Sequence, residues 1–309
     1  MLFGFVAALG LGLLGDLRQV GSQVQNFQWR LYPFVFALTL VNYTLRFLKW
    51  HYYLHQIDAA GIGWLESARL FVASFPLSVT PGKVGEALKG VWLNQKSGAP
   101  VARGLAVVVA ERISDGIAVL ILSALGVFAY PQYWPLFAFA LSLLLGLVIV
   151  SQVRPLAYAI LDFGRKIPLV SRFIPPLYEF YEGSFVLFKP SATVIAVGLG
   201  TISWFWEGVG FYLILQGLGV AGGWNTLAIA VFILAFSTVI GALSTLPGGL
   251  GAAELSIAGM LVLLMGVSAD VAAAATLLIR FATLWFGVGL GLVVWLFSRD
   301  LIFLQEKAA

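Results

Sequence analysis

The chain has 309 residues, of which 61% are hydrophobic and 10% are charged, and its mean hydropathy is +0.97. Soluble domains are roughly 45–50% apolar and about 25% charged, so this chain has too few charges to cover a surface that faces water. The composition indicates a polytopic membrane protein and excludes disordered, coiled-coil, disulfide-rich secreted and nucleic-acid-binding classes. The chain has no cysteine and two histidines, so we expect no disulfide, no thiol chemistry, no metal site and no cofactor.

Seven apolar stretches are candidates to span the roughly 30 Å of membrane hydrocarbon. They lie near residues 1–15, 31–52, 103–129, 133–151, 191–216, 224–244 and 268–297. The first is short and begins at Met1, but it lacks the basic start and small-residue cleavage site of a signal peptide, so we predict a span.

Two apolar segments, 65–97 and 224–265, are interrupted by proline and glycine. Each arm of the first has about fifteen residues and reaches only about 22 Å as a helix. Such paired breaks predict re-entrant hairpins at a transport site, since irregular backbone at membrane depth must lie inside protein or line a cavity. Whether 224–244 crosses the membrane completely stays open. The breaks hold Pro81, Gly82 and Gly85 in the first segment and Pro247, Gly248, Gly249 and Gly251 in the second.

The two broken segments are related as an internal repeat. Glu86 and Arg112 are 26 residues apart, as are Glu254 and Arg280, and a Pro-Gly-x-x-Gly sequence precedes each glutamate. We therefore predict an all-α polytopic membrane protein with about six to eight membrane helices in one domain, residues 1–309. Repeat 1 (about 31–129) and repeat 2 (about 191–297) each consist of a span, a re-entrant hairpin and a span. One linking span makes the second repeat inverted.

The charges of the linking region, 130–190, predict how the protein is oriented in the membrane. Residues 152–189 contain four prolines and a net charge of +2, which predicts short interfacial helices on the cytoplasmic side. The same arrangement leaves few Lys and Arg residues outside and predicts that both chain termini are cytoplasmic.

Ionisable residues at membrane depth are costly, so each is a candidate for function. The candidates are Lys83, Glu86, Lys89, Glu111, Arg112 and Asp115 in repeat 1, and Glu254 and Arg280 in repeat 2, with Arg46, Lys49 and Glu207 as further head-group contacts.

Lys83, Glu86 and Lys89 are spaced by three, beside the free N–H groups expected at the start of a half-helix. This pattern favours a phosphate-bearing head group, with a structural ion pair as the alternative. We also expect Arg112 to reach Asp115.

Other pairings follow from the same set of charges. We expect Lys83 or Lys89 to pair with Glu111. By the repeat, we expect Glu254 to face Arg280 as Glu86 faces Arg112, and Glu254 and Arg280 to form an ion pair. The alternative to a head-group contact for Arg46 and Lys49 is that their side chains snorkel to the phosphate level of the membrane. Glu254 or Glu207 could instead have a role in proton coupling, which is the alternative to the ion pair of Glu254 and the head-group contact of Glu207.

Four motifs carry a resemblance to a known family: Arg46-x-x-Lys49-Trp50, Pro81-Gly-Lys-Val-Gly-Glu86-x-x-Lys89, Glu111-Arg112-x-x-Asp115, and Pro247-Gly-Gly-Leu-Gly-x-x-Glu254 followed by Arg280. In this ordered series, over nearly its whole length, the chain resembles the lysylphosphatidylglycerol synthase transmembrane, or flippase-like, family. The resemblance implies a lipid translocase of a bacterial or archaeal cytoplasmic membrane. The sequence ends at Ala309, so we expect the aminoacyl-transferase domain of the family's synthases to be lacking.

The leading hypothesis is therefore a lipid flippase or scramblase, not an enzyme, with membrane lipids as its partners. A phospholipid or polyprenyl-linked head group would cross through a midplane polar cleft between the hairpins. The alternatives are an intramembrane lipid-modifying enzyme, a partner subunit of a membrane glycosyltransferase or lipid-synthesis enzyme, and a small-solute transporter. We expect no nucleic-acid partner, and a homo-oligomer is compatible with the sequence. The flippase hypothesis predicts that Pro81 and Pro247 lie close together beside a groove open to lipid.

Overall fold

The computed structural model describes residues 17–57, 59, 61–127 and 134–302, and this part of the chain contains helices and loops but no strand. The predicted span at 1–15 lies outside the described residues. The α-helices are α1 Leu17–Asn26, α2 Tyr32–Gln56, α3 Trp64–Ala73, α4 Leu88–Ser97, α5 Val101–Val127, α6 Trp134–Ser151, α7 Arg154–Arg165, α8 Pro168–Ser171, α9 Ile174–Leu187, α10 Pro190–Gly217, α11 Trp224–Leu243, α12 Ala252–Met265, α13 Ala269–Arg280, α14 Phe286–Phe297 and α15 Arg299–Ile302.

The membrane protein predicted from composition is confirmed by the lengths of these helices. Five helical stretches in the described residues are long and apolar enough to cross a membrane, and a sixth arises if α6 and α7, which meet at 78°, form one bent span. The five are Trp29–Gln56, Pro190–Gly217, Trp224–Leu243, Pro247–Met265 and Ala269–Phe297. Helix α5 is also long enough, at about 40 Å, but its first half carries charges.

The element order matches in the two halves. In the first, α2 is followed by the pair α3–α4 and then by α5; in the second, α10 is followed by α11–α12 and then by α13–α14. A single turn of π-helix, Phe281–Trp285, joins α13 to α14 directly after Arg280.

The first hairpin has shorter arms than the sequence predicts. Helices α3 and α4 have ten residues each, because the chain between them forms two 3₁₀ segments, Phe75–Val79 and Pro81–Ala87. Each segment has a proline in its first turn, and Gly82 adopts a left-handed φ of 58°. In the second hairpin the break is confined to residues 244–251, so α11 keeps twenty residues.

The two largest of the four apolar clusters in the described residues form most of the core. One surrounds the first hairpin and includes the fully buried Trp50 and Trp92; the indole of Trp92 donates to the carbonyl of Leu301 at 2.9 Å. The other surrounds α10 and α13, where Ala272–Ala275 allow close helix packing around Phe211.

The last described helix, α15, forms ion pairs with the first hairpin. Asp300 accepts from the ammonium of Lys96 at 2.7 Å and also pairs with Arg69. The hydrogen bond from Lys96 lowers the pKa of Asp300 below its ordinary value.

A charged cavity between two hairpin breaks

The breaks of the two hairpins touch each other. The backbone N–H of Gly82 donates to the carbonyl of Thr245 at 2.8 Å, which links the first break to the second. Within the second hairpin the arms are in backbone contact: a Cβ atom on Gly249 would lie 2.9 Å from the Cα of Gly241. The predicted approach of Pro81 and Pro247 is therefore present as contact between the 3₁₀ segments that begin with these prolines.

A cavity of about 380 Å³ lies where the breaks meet. Its wall includes Leu243, whose side chain is 74% exposed, so the cavity reaches the molecular surface at the end of α11. Sequence reasoning did not identify several polar lining residues, among them Tyr43, Trp204, Ser237 and Thr238, although Tyr43 and Trp204 each lie three residues before a predicted charge. The cavity also has charged residues in its wall: Arg46, Glu86, Lys89, Arg112, Asp115, Glu207 and Arg280.

In the second half, Glu254 and Arg280 form the predicted pair, at 2.6 Å between Oε1 and Nε. The other carboxylate oxygen of Glu254 accepts from the N–H of Gly251 at 2.7 Å, at the start of α12. Arg280 also donates to the carbonyl of Gly248 at 2.8 Å. This pair therefore fixes the backbone of the second break at both ends.

In the first half, Glu86 and Arg112 occupy the equivalent repeat positions, but their contact is looser. The Nε of Arg112 lies 3.4 Å from Oε2 of Glu86, and the Arg112 side chain is 33% exposed while it lines the cavity. Arg280 is half as exposed. Of the two equivalent arginines, Arg112 is the one that faces open space.

Lys89 forms a buried pair with Glu111. Its ammonium lies 2.7 Å from Oε2 of Glu111 and 4.4 Å from the centre of the Trp50 ring. Both side chains are at most 3% exposed, so the pair joins the first hairpin to α5 inside the protein.

Asp115 has different partners from those that the sequence predicts. Lys49 lies 2.5 Å and Arg46 3.6 Å from its carboxylate, whereas Arg112 pairs with Glu86. Snorkelling of Lys49 is therefore wrong: its side chain is buried at 1% exposure, because α2 turns this face toward α5 and not toward lipid. Arg46 lies beside it, with its guanidinium 5.5 Å from the centre of the Trp204 ring.

Glu207 differs from the other acidic residues of the cavity. It is 7% exposed and lines the cavity from α10. Among the residues that the structure describes, no hydrogen bond or ion pair of its carboxyl group is present. Arg46 and Arg280 are the cations close enough to act on it electrostatically.

Two N–H groups near the predicted anion site of the first break are bonded within the protein. Segment Pro81–Ala87 is a 3₁₀ segment and α4 begins only at Leu88. The N–H of Gly82 is bonded to Thr245, and that of Gly85 donates to the hydroxyl of Thr80 at 2.8 Å. The side chain of Lys83 lies outside those described.

Comparison with known proteins gives the family. The family model of the lysylphosphatidylglycerol synthase TM region matches residues 1–291. A UPF0104 membrane protein of Methanothermobacter thermautotrophicus is 25% identical over 288 residues, covering 86% of this chain and 82% of the relative. Another of that organism is 28% identical over 227 residues, 65% of each chain, and one of Methanocaldococcus jannaschii is 25% identical over 179 residues, 57% of this chain and 74% of the relative. No solved structure matches the chain. The chain therefore belongs to the family of the lysylphosphatidylglycerol synthase TM region.

Proposed function

We propose that the protein is a lipid flippase or scramblase of a prokaryotic cytoplasmic membrane. The observation that carries the proposal is the charged cavity at the contact of the two hairpin breaks. Ionisable side chains in a membrane interior mark substrate pathways by default, and broken helices that meet near the midplane are a recurring transporter plan.

The dimensions of the cavity fit a head group better than a whole lipid. Its volume of about 380 Å³ lies near the lower end of the roughly 300–1,000 Å³ range of small-molecule sites. The acyl chains would then stay outside, in the hydrocarbon. The surface beside the cavity supports this arrangement, since Leu243, Leu246 and Val84 at the breaks expose apolar side chains.

The exposed Leu243 also helps to distinguish a lipid flippase from the main alternative, a small-solute transporter. A small-solute transporter would use a similar charged cavity, but it has no need of an apolar rim facing lipid. Loss of lipid translocation together with retained uptake of a small solute would support that alternative.

The charges suggest how a head group is held. Arg112 is the most exposed cation of the cavity pairs and holds Glu86 loosely, so it is free to bond a phosphate bidentately. Arg280, by contrast, is fully engaged with Glu254 and the backbone of Gly248. We assign Arg112 as the main phosphate contact and Arg280 as a structural clamp.

The protein also has a proposed orientation in the membrane. With residues 152–189 in the cytoplasm, the basic residues follow the positive-inside rule. The chain contains no phosphate-binding GxxxxGK[ST] sequence, so lipid movement without direct use of ATP is proposed.

Reconstitution in liposomes with fluorescently labelled lipids of different head groups tests the proposal. We expect the wild type to translocate at least one of them and Arg112→Ala to slow it by about tenfold, equivalent to about 1.4 kcal/mol. Glu86→Gln should slow it less, and Glu179→Gln, outside the cavity, should not. Equal rates for wild type, Glu86→Gln and Arg112→Ala would remove these residues from the mechanism, and no translocation of any lipid would reject the function.

A further inference from the structure

The acidic residues around the cavity divide into four with cationic partners and one without. Glu86, Glu111, Asp115 and Glu254 each have a Lys or Arg within ion-pair distance. Glu207 is also buried, at 7% exposure, yet its carboxyl group faces the cavity without an ion pair or hydrogen bond to the described residues. A buried carboxylate with no directly bonded cation or donor is costly to ionise, so such a group favours binding a proton.

A nearby cation is positioned to respond if Glu207 ionises. Arg46 lies at 3.6 Å from Asp115, whose charge is already neutralised by Lys49 at 2.5 Å. The Arg46 guanidinium stacks on Trp204, which is three residues before Glu207 and therefore lies on the same face of α10. Its Nε is buried without a hydrogen bond to any described group. Arg46 can thus leave Asp115 without stranding that carboxylate.

We propose that Glu207 is a proton-exchanging carboxylate whose ionisation transfers Arg46 from Asp115 to Glu207. The proton passes to water in the cavity and returns from it, and no other bond is made or broken. The charged or titratable groups that act on Glu207 from the packed helices are Tyr43 and Arg46 on α2, Asp115 on α5 and Arg280 at the end of α13.

The exchange would regulate the lipid site, and this consequence rests on the proposed function. With Glu207 protonated, Arg46 is held at Asp115 and Glu207 adds no charge to the cavity. With Glu207 ionised, Arg46 is engaged by it, and the added negative charge of Glu207 disfavours a bound anion in the cavity. Head-group movement would therefore depend on pH.

Infrared difference spectroscopy of the full-length protein between about pH 5 and about pH 8 tests the proton exchange without any lipid assay. We expect a protonated-carboxyl band in the wild type that disappears as the pH rises. It should be absent in Glu207→Gln, shifted in Glu207→Asp and unchanged in Glu179→Gln. A spectrum of Glu207→Gln identical to that of the wild type would overturn the proposal.

Translocation over the same pH range tests the consequence. We expect the wild-type rate to change by about tenfold, Glu207→Asp to keep a pH response and Glu207→Gln, which mimics the protonated group, to lose it. A wild-type rate independent of pH would overturn the coupling while leaving the flippase intact. If no variant moves lipid at any pH, the proposed function fails, and the infrared result still decides whether Glu207 exchanges a proton.

Discussion

At the scale of single residues, the charges are most informative where both members of an ion pair are buried. Lys89 and Glu111 are the clearest case, because both side chains are nearly inaccessible and lie against Trp50. Removing one partner of such a pair leaves an uncompensated buried charge, whereas removing both does not.

Lys89→Met should therefore lower the free energy of unfolding by about 3–5 kcal/mol, measured by denaturation in detergent. The double variant Lys89→Met, Glu111→Leu should recover most of this loss. Arg165→Met, which removes an exposed contact with Asp162, is the matched control and should cost about 0–1 kcal/mol. A Lys89→Met variant as stable as the control would show that the pair is not buried in the native protein.

Part of this charge network could be predicted from the sequence. The equal spacing of Glu86 to Arg112 and Glu254 to Arg280 anticipated both pairs, since a repeat places equivalent residues in equivalent surroundings. The partners of Asp115 could not be predicted, because the helical face on which Lys49 lies depends on how α2 packs against α5 and α10. A basic residue near the end of an apolar helix has the same local pattern whether it snorkels or is buried.

At the scale of elements, the hairpin breaks depend on backbone contact that only glycine permits. Gly249 has a φ of 67° and its α-carbon lies against Gly241, so an added Cβ meets backbone atoms that cannot move aside. Gly259, within α12, has no heavy atom within 4 Å of the position of a Cβ.

Gly249→Ala should therefore destabilise the protein by about 1–3 kcal/mol and slow any transport that depends on the hairpin. Gly259→Ala should leave it unchanged or stabilise it by up to about 1 kcal/mol, since alanine favours a helix. Thermal unfolding of both variants in detergent makes the comparison. Equal midpoints for the two would argue against close contact of the arms.

Helix α7 is the element most easily tested for its position in the membrane. It meets α6 at 78°, and its exposed apolar residues Leu156, Ile160 and Phe163 are spaced along one face. If α6 crosses the bilayer, α7 lies near its surface with this face in lipid.

The absence of native cysteine allows this to be measured by single-cysteine labelling. Phe163 and Asp162 are similarly exposed in the protein alone, at 65% and 59%. In liposomes Asp162→Cys should react with a water-soluble thiol reagent roughly tenfold faster than Phe163→Cys, a difference equivalent to about 1.4 kcal/mol. Equal reaction rates would place α7 in water.

Element boundaries were predicted well where the apolar pattern is long, as in α2, α10 and α11. The first hairpin was predicted with arms that are too long, because its 3₁₀ segments have the same apolar composition as a helix. The π-helical turn at Phe281–Trp285 had no sequence signal, since it depends on contacts such as that from the Tyr43 hydroxyl to the carbonyl of Thr283.

At the scale of the whole molecule, two related halves bring their breaks together around one charged cavity. The repeat was detectable in sequence because the Pro-Gly breaks and the Glu–Arg spacing recur. The arrangement of charged residues in the cavity was not detectable in the sequence, since these residues come from α2, α5, α10 and α13. In particular, the lack of an ion pair for Glu207 among the described residues depends on which helices pack beside α10. It does not depend on the residues next to Glu207 in the chain.

Passage of a lipid head group through this cavity is tested most directly by blocking it. Ser78 lines the cavity, whereas Ser191 is exposed in the first turn of α10. Each is replaced by cysteine in the cysteine-free chain, reacted with a bulky thiol reagent and assayed for lipid translocation in liposomes. Labelled Ser78→Cys should lose at least about tenfold in rate, equivalent to about 1.4 kcal/mol, and labelled Ser191→Cys should lose nothing. Equal rates for the two labelled proteins would show that lipid does not pass through the cavity.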